Sequence, residues 1–259
     1  MTSYTKPSDK MIMQVLPSVS RAAVSSFYAA AAIALLSLVA SLGTRWGWWP
    51  FRIGFILMLG VMLGAVVAIV LAIIGLISAR RRGLGRSFVW ATLGLLITLM
   101  VVALPLNLVV NGLRLPPIHD ISTDTENPPT FVAILHLRKD ADNPSAYGGP
   151  EVAAQQHKAY PTVAPLTINL PPNQAFERAL GVARDMGWEI VEANPTEGRL
   201  EATAKTFWFG FKDDVIVRIT ASGGGSRIDV RSVSRVGTSD VGANAKRIEK
   251  YLGKISQSE

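Results

Sequence analysis

Between residues 22 and 110 the chain contains no Asp, Glu, Lys or His, and its Arg residues there lie between or at the ends of three long apolar runs. The runs cover residues 22–42, 53–79 and 87–110. Each reaches the roughly 20 residues needed to cross a hydrocarbon core about 30 Å thick. Burying three such helices in a soluble protein would take a surrounding core that this 259-residue chain lacks. The sequence therefore predicts three transmembrane helices within residues 22–110, preceded by a cytoplasmic N-terminal segment, 1–21.

Basic residues predict the orientation. Arg80, Arg81, Arg82 and Arg86 crowd the short second loop without an acid, which assigns it to the cytoplasm. Lys6, Lys10 and Arg21 place the N-terminus on the same side. The first loop then lies outside, with Trp46, Trp48 and Trp49 as anchors at the membrane interface. Arg45 and Arg52 oppose this assignment, but four charges outweigh two. The third helix delivers the C-terminal half to the periplasmic face of a bacterial inner membrane. A polar leader and an apolar run of this length exceed a cleavable signal peptide, so the first run reads as an uncleaved anchor.

The helices carry packing information as well. Gly60, Gly64, Ala68 and Ala72 recur every four residues, the small-xxx-small pattern of close helix approach. That stripe suits either contact among the three helices of one chain or self-association into a homo-oligomer. Pro105 is expected to kink the third helix near its outer end, where Asn107 is the one strongly polar side chain. No ionisable group sits at mid-membrane depth, so a transporter or channel is not expected.

The net charge of +7 would suggest nucleic acid, but its distribution does not. Residues 1–110 hold nine Lys or Arg against one acid, whereas residues 111–259 hold seventeen against eighteen. The excess belongs to membrane threading, and no nucleic-acid partner is expected. The absence of cysteine excludes disulfides, thiol nucleophiles and thiolate metal sites.

Residues 111–161 read as an extended linker that packs on the following domain. Their Pro, Asp, Asn and Thr content opposes helix and central strand. FVAILHL (131–137) reads as a short strand or a partner-facing apolar patch, and NPSAYGGPE as a loop. Stronger signals follow over residues 162–259. A strand is expected at 162–169, then a helix with Asn173 as N-cap and Gly187 as its stop. WEIVEA (188–193) and RLEATAKTFWF (199–209) form a hairpin. Val215, Val217 and Ile219 alternate, as do Ile228, Val230 and Ser232 across a Gly-rich turn, and Ser239-Asp240 caps a last helix. Strand, helix, four strands, helix make an α+β domain: an antiparallel sheet with two helices on one side. The arrangement resembles small helix-grip domains of lipoprotein assembly factors.

The densest polar cluster lies at 211–252. It contains Asp213-Asp214-Val215 with Arg218, then Arg231, Ser232, Ser234, Arg235, Gly237, Ser239, Asp240, Gly242 and Asn244 at fixed spacing, and Arg247 in the last helix. This pattern is similar to the domain of unknown function 1499 family. Weaker similarity covers most of residues 115–255. Members often carry a short membrane region ahead of the domain, and the resemblance implies the domain type without an activity.

Physically, Asp213 and Asp214 must point to opposite faces of their strand. Asp214 and Arg218 share one face, and Arg231 and Arg235 share a face of the neighbouring strand. Two readings stand open. One is a lattice of ion pairs and caps tying the last hairpin to the last helix. The other is an anionic-ligand or partner site on Asp214, Arg218, Arg231, Ser232, Ser234, Arg235, Ser239, Asp240, Asn244 and Arg247.

Other chemistry finds little support. Ser232, Ser234 and Ser239 have no nearby His, and G-x-S-x-G is absent. His119, His136 and His157 stand singly, and Asp120, Asp124 and Glu126 lack calcium-loop spacing. No metal or cofactor is expected. Phe207 to Phe211 reads as sheet-face aromatics, with an apolar edge for a partner or lipid headgroups as the alternative. The leading expectation is a non-enzymatic, membrane-anchored accessory or assembly protein that presents its domain to a partner protein or envelope component. The alternative is an envelope enzyme or anionic-ligand-binding protein using the Asp/Arg cluster.

Overall fold

A computed structural model describes residues 19–257. Lys6 and Lys10, which contribute to the predicted orientation, lie outside the described residues. The chain divides into two compact units, Met1–Leu106 and Asn107–Glu259.

The first unit is helical. Helix α1 spans Arg21–Arg45, α2 Phe51–Arg82 and α3 Gly85–Arg114, the last continuing beyond the unit's boundary. All three are long and apolar enough to cross a membrane. Each helix extends past its predicted apolar run into flanking arginines. Gly83, with φ 64°, ends α2 in the left-handed conformation that glycine adopts without strain.

Between α1 and α2 the buried stripe is Gly54, Val61, Ala65, Ala68, Ala72, Gly75 and Ala79. From Val61 onward the spacing alternates four and three, a 3.5-residue repeat that keeps one seam against a neighbouring helix. The small side chains let the backbones close up: a Cβ on Gly75 would come within 2.8 Å of Ala23 Cα. Ala68 and Ala72 of the predicted stripe belong to this seam, and Gly64 sits beside it against Ile33. Gly60 is exposed, with open space around it. Helix α3 approaches α1 through Gly94, where a Cβ would come within 2.9 Å of the Phe27 nitrogen. Around the first loop, Trp46 and Trp48 are exposed, while Trp49 lies over Gly43.

The second unit is built on an open, six-stranded antiparallel sheet. Its strands are β1 Asp120–Ser122, β2 Leu166–Ile168, β3 Glu189–Asn194, β4 Arg199–Lys205, β5 Lys212–Ser222 and β6 Gly225–Ser234. The spatial order is β1-β6-β5-β4-β3, and β2 also pairs with β6. β1 pairs with β6 opposite residues 231–233, and β2 opposite residues 226–228. Together they make one interrupted edge strand. Thr123 closes the gap: its nitrogen donates to the Val230 carbonyl, and its hydroxyl accepts from the Val230 nitrogen, both at 2.9 Å.

Helices α5 (Pro172–Asp185) and α6 (Ala243–Gln257) cover one face of the sheet. Leu200, Ala202, Val215, Val217, Ile219, Ile228 and Val230 face them, alternating along their strands as expected. Trp188 stacks on Tyr251 at 4.7 Å within this core. Tyr251 donates to the Ala179 carbonyl at 2.8 Å, so its buried hydroxyl is satisfied.

Several local expectations are corrected. The strand expected at 162–169 shortens to Leu166–Ile168. Asn173 is not the N-cap: Pro171 occupies that position and Pro172 opens the helix, its fixed φ being preorganised for the first turn. β4 stops at Lys205, because residues 206–211 form the turn into β5. Residues 131–137 form no strand: a 3₁₀ helix, Ala133–Arg138, begins there, with Phe131 and Ile134 buried and Val132, Leu135 and Leu137 exposed. The loop expected at 143–151 runs into helix α4, Gly149–Ala159.

The α1–α2 seam makes a prediction. Gly75→Leu should lower the thermal midpoint of the detergent-solubilised protein by overpacking against Ala23, at a cost of about 1–3 kcal/mol. Gly60→Leu should leave that midpoint unchanged. Equal effects of the two substitutions, read by circular dichroism melts, would contradict the seam.

Candidate functional site

Alternation along β4, β5 and β6 places a polar set on the sheet face opposite α5 and α6: Glu201, Thr203, Asp214, Arg218, Asp229 and Arg231. That pattern would suit solvent, yet the face is covered. Residues between β1 and β2 cross over it, and Phe131 and Ile134 pack on Ile216 and Val233. The buried polar groups then need partners, because a charge away from water is stable only when paired and hydrogen-bonded.

The covering segment supplies them. Glu201 is 0% exposed and accepts from the backbone nitrogens of Val132, Ala133 and Ile134 at 2.9, 3.1 and 2.9 Å. It thus satisfies unpaired donors around the start of the 3₁₀ helix. At that helix's other end, Arg138 donates to Asp214 at 2.5 Å and to the Asn143 carbonyl at 3.0 Å. Asp214, also 0% exposed, receives a two-pronged pair from Arg235, with Nε at 2.9 Å and Nη2 at 2.8 Å, and the Thr203 hydroxyl at 2.9 Å. Arg235 also reaches the Leu137 carbonyl at 2.9 Å.

Arg231 is 2% exposed and uses its planar fork on Asp120, at 2.9 and 2.7 Å. It also donates to the carbonyls of Pro129 at 3.1 Å and Ser145 at 2.9 Å. Its guanidinium carbon lies 5.3 Å from the Phe131 ring centroid and 5.4 Å from that of Tyr147, adding cation–π contact. Burial pushes the Asp120 carboxyl above its ordinary value, and hydrogen bonds from Arg231 pull the other way. Burial likewise pushes Tyr147 up to about 12, assisted by the charge of Asp120.

Arg218 stands apart, four residues from Asp214 along β5. It pairs with Asp124 and Asp229 at 3.0 Å each, and Arg227 shares both carboxylates.

The remaining predicted residues lie on the helix side. Ser232 donates to Asn244 Oδ1 at 2.7 Å, and Asn244 donates to Ser234 at 3.0 Å and to the His119 carbonyl at 2.9 Å. Arg247 bridges Ser232, Asn244 and Asp213. Asp240 accepts from the nitrogens of Gly242 at 2.9 Å and Asn244 at 2.7 Å, capping α6. Burial raises its carboxyl above the ordinary value despite those bonds. Ser239 accepts from the Val241 nitrogen at 3.2 Å.

The predicted site residues therefore form three groups. Asp214, Arg231 and Arg235 lie under the covering segment, and Arg218 lies farther along the same face. Ser232, Ser234, Ser239, Asp240, Asn244 and Arg247 belong to the helix side and its entry loop. Asp213 and Asp214 serve opposite faces, as alternation requires. Glu201, Arg138 and Asp229 complete these groups and escaped the sequence reading, and Asp120, weighed there only as a cation ligand, pairs with Arg231. Among the described residues, no group of three His, Cys, Asp or Glu side chains is placed to hold a metal ion.

Three apolar helices followed by this α+β domain define a class: membrane-type proteins carrying one folded domain behind a helical region. The family described as Protein of unknown function (DUF1499) matches residues 120–255, and the chain belongs to that family. No curated protein matches the chain.

Two predictions follow from this geometry. Asp214→Ala leaves Arg138 and Arg235 buried without their shared carboxylate, and should cost about 3–5 kcal/mol in denaturant unfolding; a loss below about 1 kcal/mol would remove the network's structural role. The second concerns alkaline pH. Tyr147 and Tyr160 are both raised to about 12 from an ordinary 10.0, chiefly by burial. The unfolded chain loses these protons first, so their contribution to stability is intact below pH 10.0 and fades as pH rises towards about 12. Absorbance titration of Tyr147→Phe should lack one late-ionising group.

Proposed function

We propose that this protein is a membrane-anchored binding module of the bacterial inner membrane, with its α+β domain on the periplasmic side. The domain serves an accessory or assembly role by engaging a partner protein or envelope component with its outer surface. The observation carrying this reading is the internal use of the domain's densest polar cluster. Asp214 is saturated by Arg138, Arg235 and Thr203, while Arg231 is held by Asp120 and two carbonyls. A ligand at this cluster would first have to release those bonds, which favours recognition by the surface around it. Arg80, Arg81 and Arg82 in the last turn of α2, with Arg86 at the start of α3, support the orientation.

The cysteine-free sequence makes a direct test available. Asp140→Cys, on the exposed covering segment, should react with an impermeant maleimide added outside cells with opened outer membranes. Gly85→Cys should react only after permeabilisation. The reverse pattern would sink the periplasmic assignment. Photo-crosslinkers on exposed positions of the domain should give discrete adducts in living cells, and their absence from every face would remove the binding role.

A further inference from the structure

One end of the domain combines three features. The first is the β4–β5 turn. Thr206 organises it: its hydroxyl accepts from the Phe211 nitrogen at 2.9 Å and its carbonyl accepts from the Gly210 nitrogen at 3.1 Å. Gly210, at φ 67°, permits the reversal. The turn displays Phe207 at 74% exposure and Trp208 at 41%, with their rings edge to face at 5.1 Å. Lys205 and Lys212 pair across the base of this aromatic tip.

The second feature is an open recess of about 270 Å³ sharing Lys205 with the tip. Its lining includes Lys246, Arg247 and Lys250 of α6. Lys246 and Lys250 are exposed and form no ion pair among the described residues. Lys205 pairs with Glu189 at 2.9 Å, and Arg247 with Asp213. Glu189 is held below its ordinary value first by Lys205, with Lys212 and Arg235 contributing, as expected in a positive local field.

The third feature is the entry of the chain. Leu115 lies within 3.2 Å of where a side chain on Gly242 would begin, and Ile118 accepts from the Asp240 nitrogen at 3.2 Å. Those contacts lie just before Ala243, which lines the basic recess. Chain entry, aromatic tip and cationic recess therefore share one end of the domain.

We infer that this end docks on an anionic phospholipid surface, with Phe207 and Trp208 entering the interfacial region and Lys205, Lys212, Lys246 and Lys250 meeting headgroup phosphates. Aromatic rings favour the membrane–water interface, and basic residues are attracted to an anionic lipid surface. The charge complementarity selects a lipid surface over an acid-lined protein groove because the apolar tip must be buried together with the cations. This docking deepens the surface-binding reading by naming one envelope component, and it rests on that reading.

The test uses the full chain reconstituted in vesicles. Phe207→Cys carries an environment-sensitive fluorophore, and Ser222→Cys, exposed at the far end of β5, is the control. In phosphatidylcholine mixed with phosphatidylglycerol, interfacial spin-labelled lipid should quench the probe at 207 several-fold more than at 222. Lys246→Glu with Lys250→Glu should reduce quenching to the control level. Equal quenching at both positions, insensitivity to charge reversal, or the same quenching in phosphatidylcholine alone would overturn the docking. If lipid contact fails while discrete protein crosslinks persist, the docking falls and the surface-binding reading stands.

Discussion

The domain depends on a segment between two edge strands being held flat across a polar sheet face. That face carries buried carboxylates and guanidinium groups, and each must recover in the fold the hydrogen bonds it gave up in water. Asp120 and Arg231 fix the start of the segment, and the carbonyls of Pro129 and Ser145 close around the same guanidinium. Glu201 and Asp214 receive the two ends of the 3₁₀ helix between them. Removing the segment would leave these charges open; moving it by one residue would misplace their partners. Such a network contributes less net stability than its number of bonds suggests, because desolvation offsets much of the attraction. Its contribution here is register: Arg231, Glu201 and Asp214 hold residues 129–145 at separate points along the segment.

This also explains what the sequence could and could not reveal. Apolar length alone located the three helices, because a hydrocarbon core excludes almost everything else. A turn between two strand-like runs located β3 and β4, and period-two alternation located β5 and β6, whose Val215, Val217 and Val230 face the helices. The same alternation says nothing of what covers the other face. Glu201, Thr203 and Asp214 look like solvent-facing residues when only their own strand is read. Their partners lie far away in sequence: Val132 for Glu201, Arg138 for Asp214, Asp120 for Arg231. Helix α4 was hidden for a related reason. It opens with Gly149-Pro150, which resembles a turn, and buries only Gln156. Gln156 acts as an amide bridge to the backbone of Ser122, donating to its carbonyl and accepting from its nitrogen, so no apolar period marks the helix.

Asp213 and Asp214 were legible in orientation but not in assignment. Their alternation required opposite faces, and the structure gives one to Arg247 and the other to Arg138 and Arg235. Arg218 shows the limit of a shared face: four strand residues separate it from Asp214 by about 13 Å. It consequently joins Asp124, Asp229 and Arg227 in a separate rim cluster. A sequence motif therefore bundled residues that occupy distinct physical environments.

Seen residue by residue, the motif carrying the family resemblance is a device for reversing the chain after β6. Ser232, Ser234 and Asn244 tie the strand to α6, and Arg247 reaches back to Asp213. Gly237 and Gly242 take φ of 90° and 80°, and Val241 between Asp240 and Gly242 takes 52°. That conformation is uncommon for a β-branched residue. It places the Asp240 carboxylate where it can accept from two nitrogens at the start of α6. The entering chain uses the same construction, through contacts of Leu115 and Ile118 with this loop. Family likeness concentrated in such a device identifies how the domain folds.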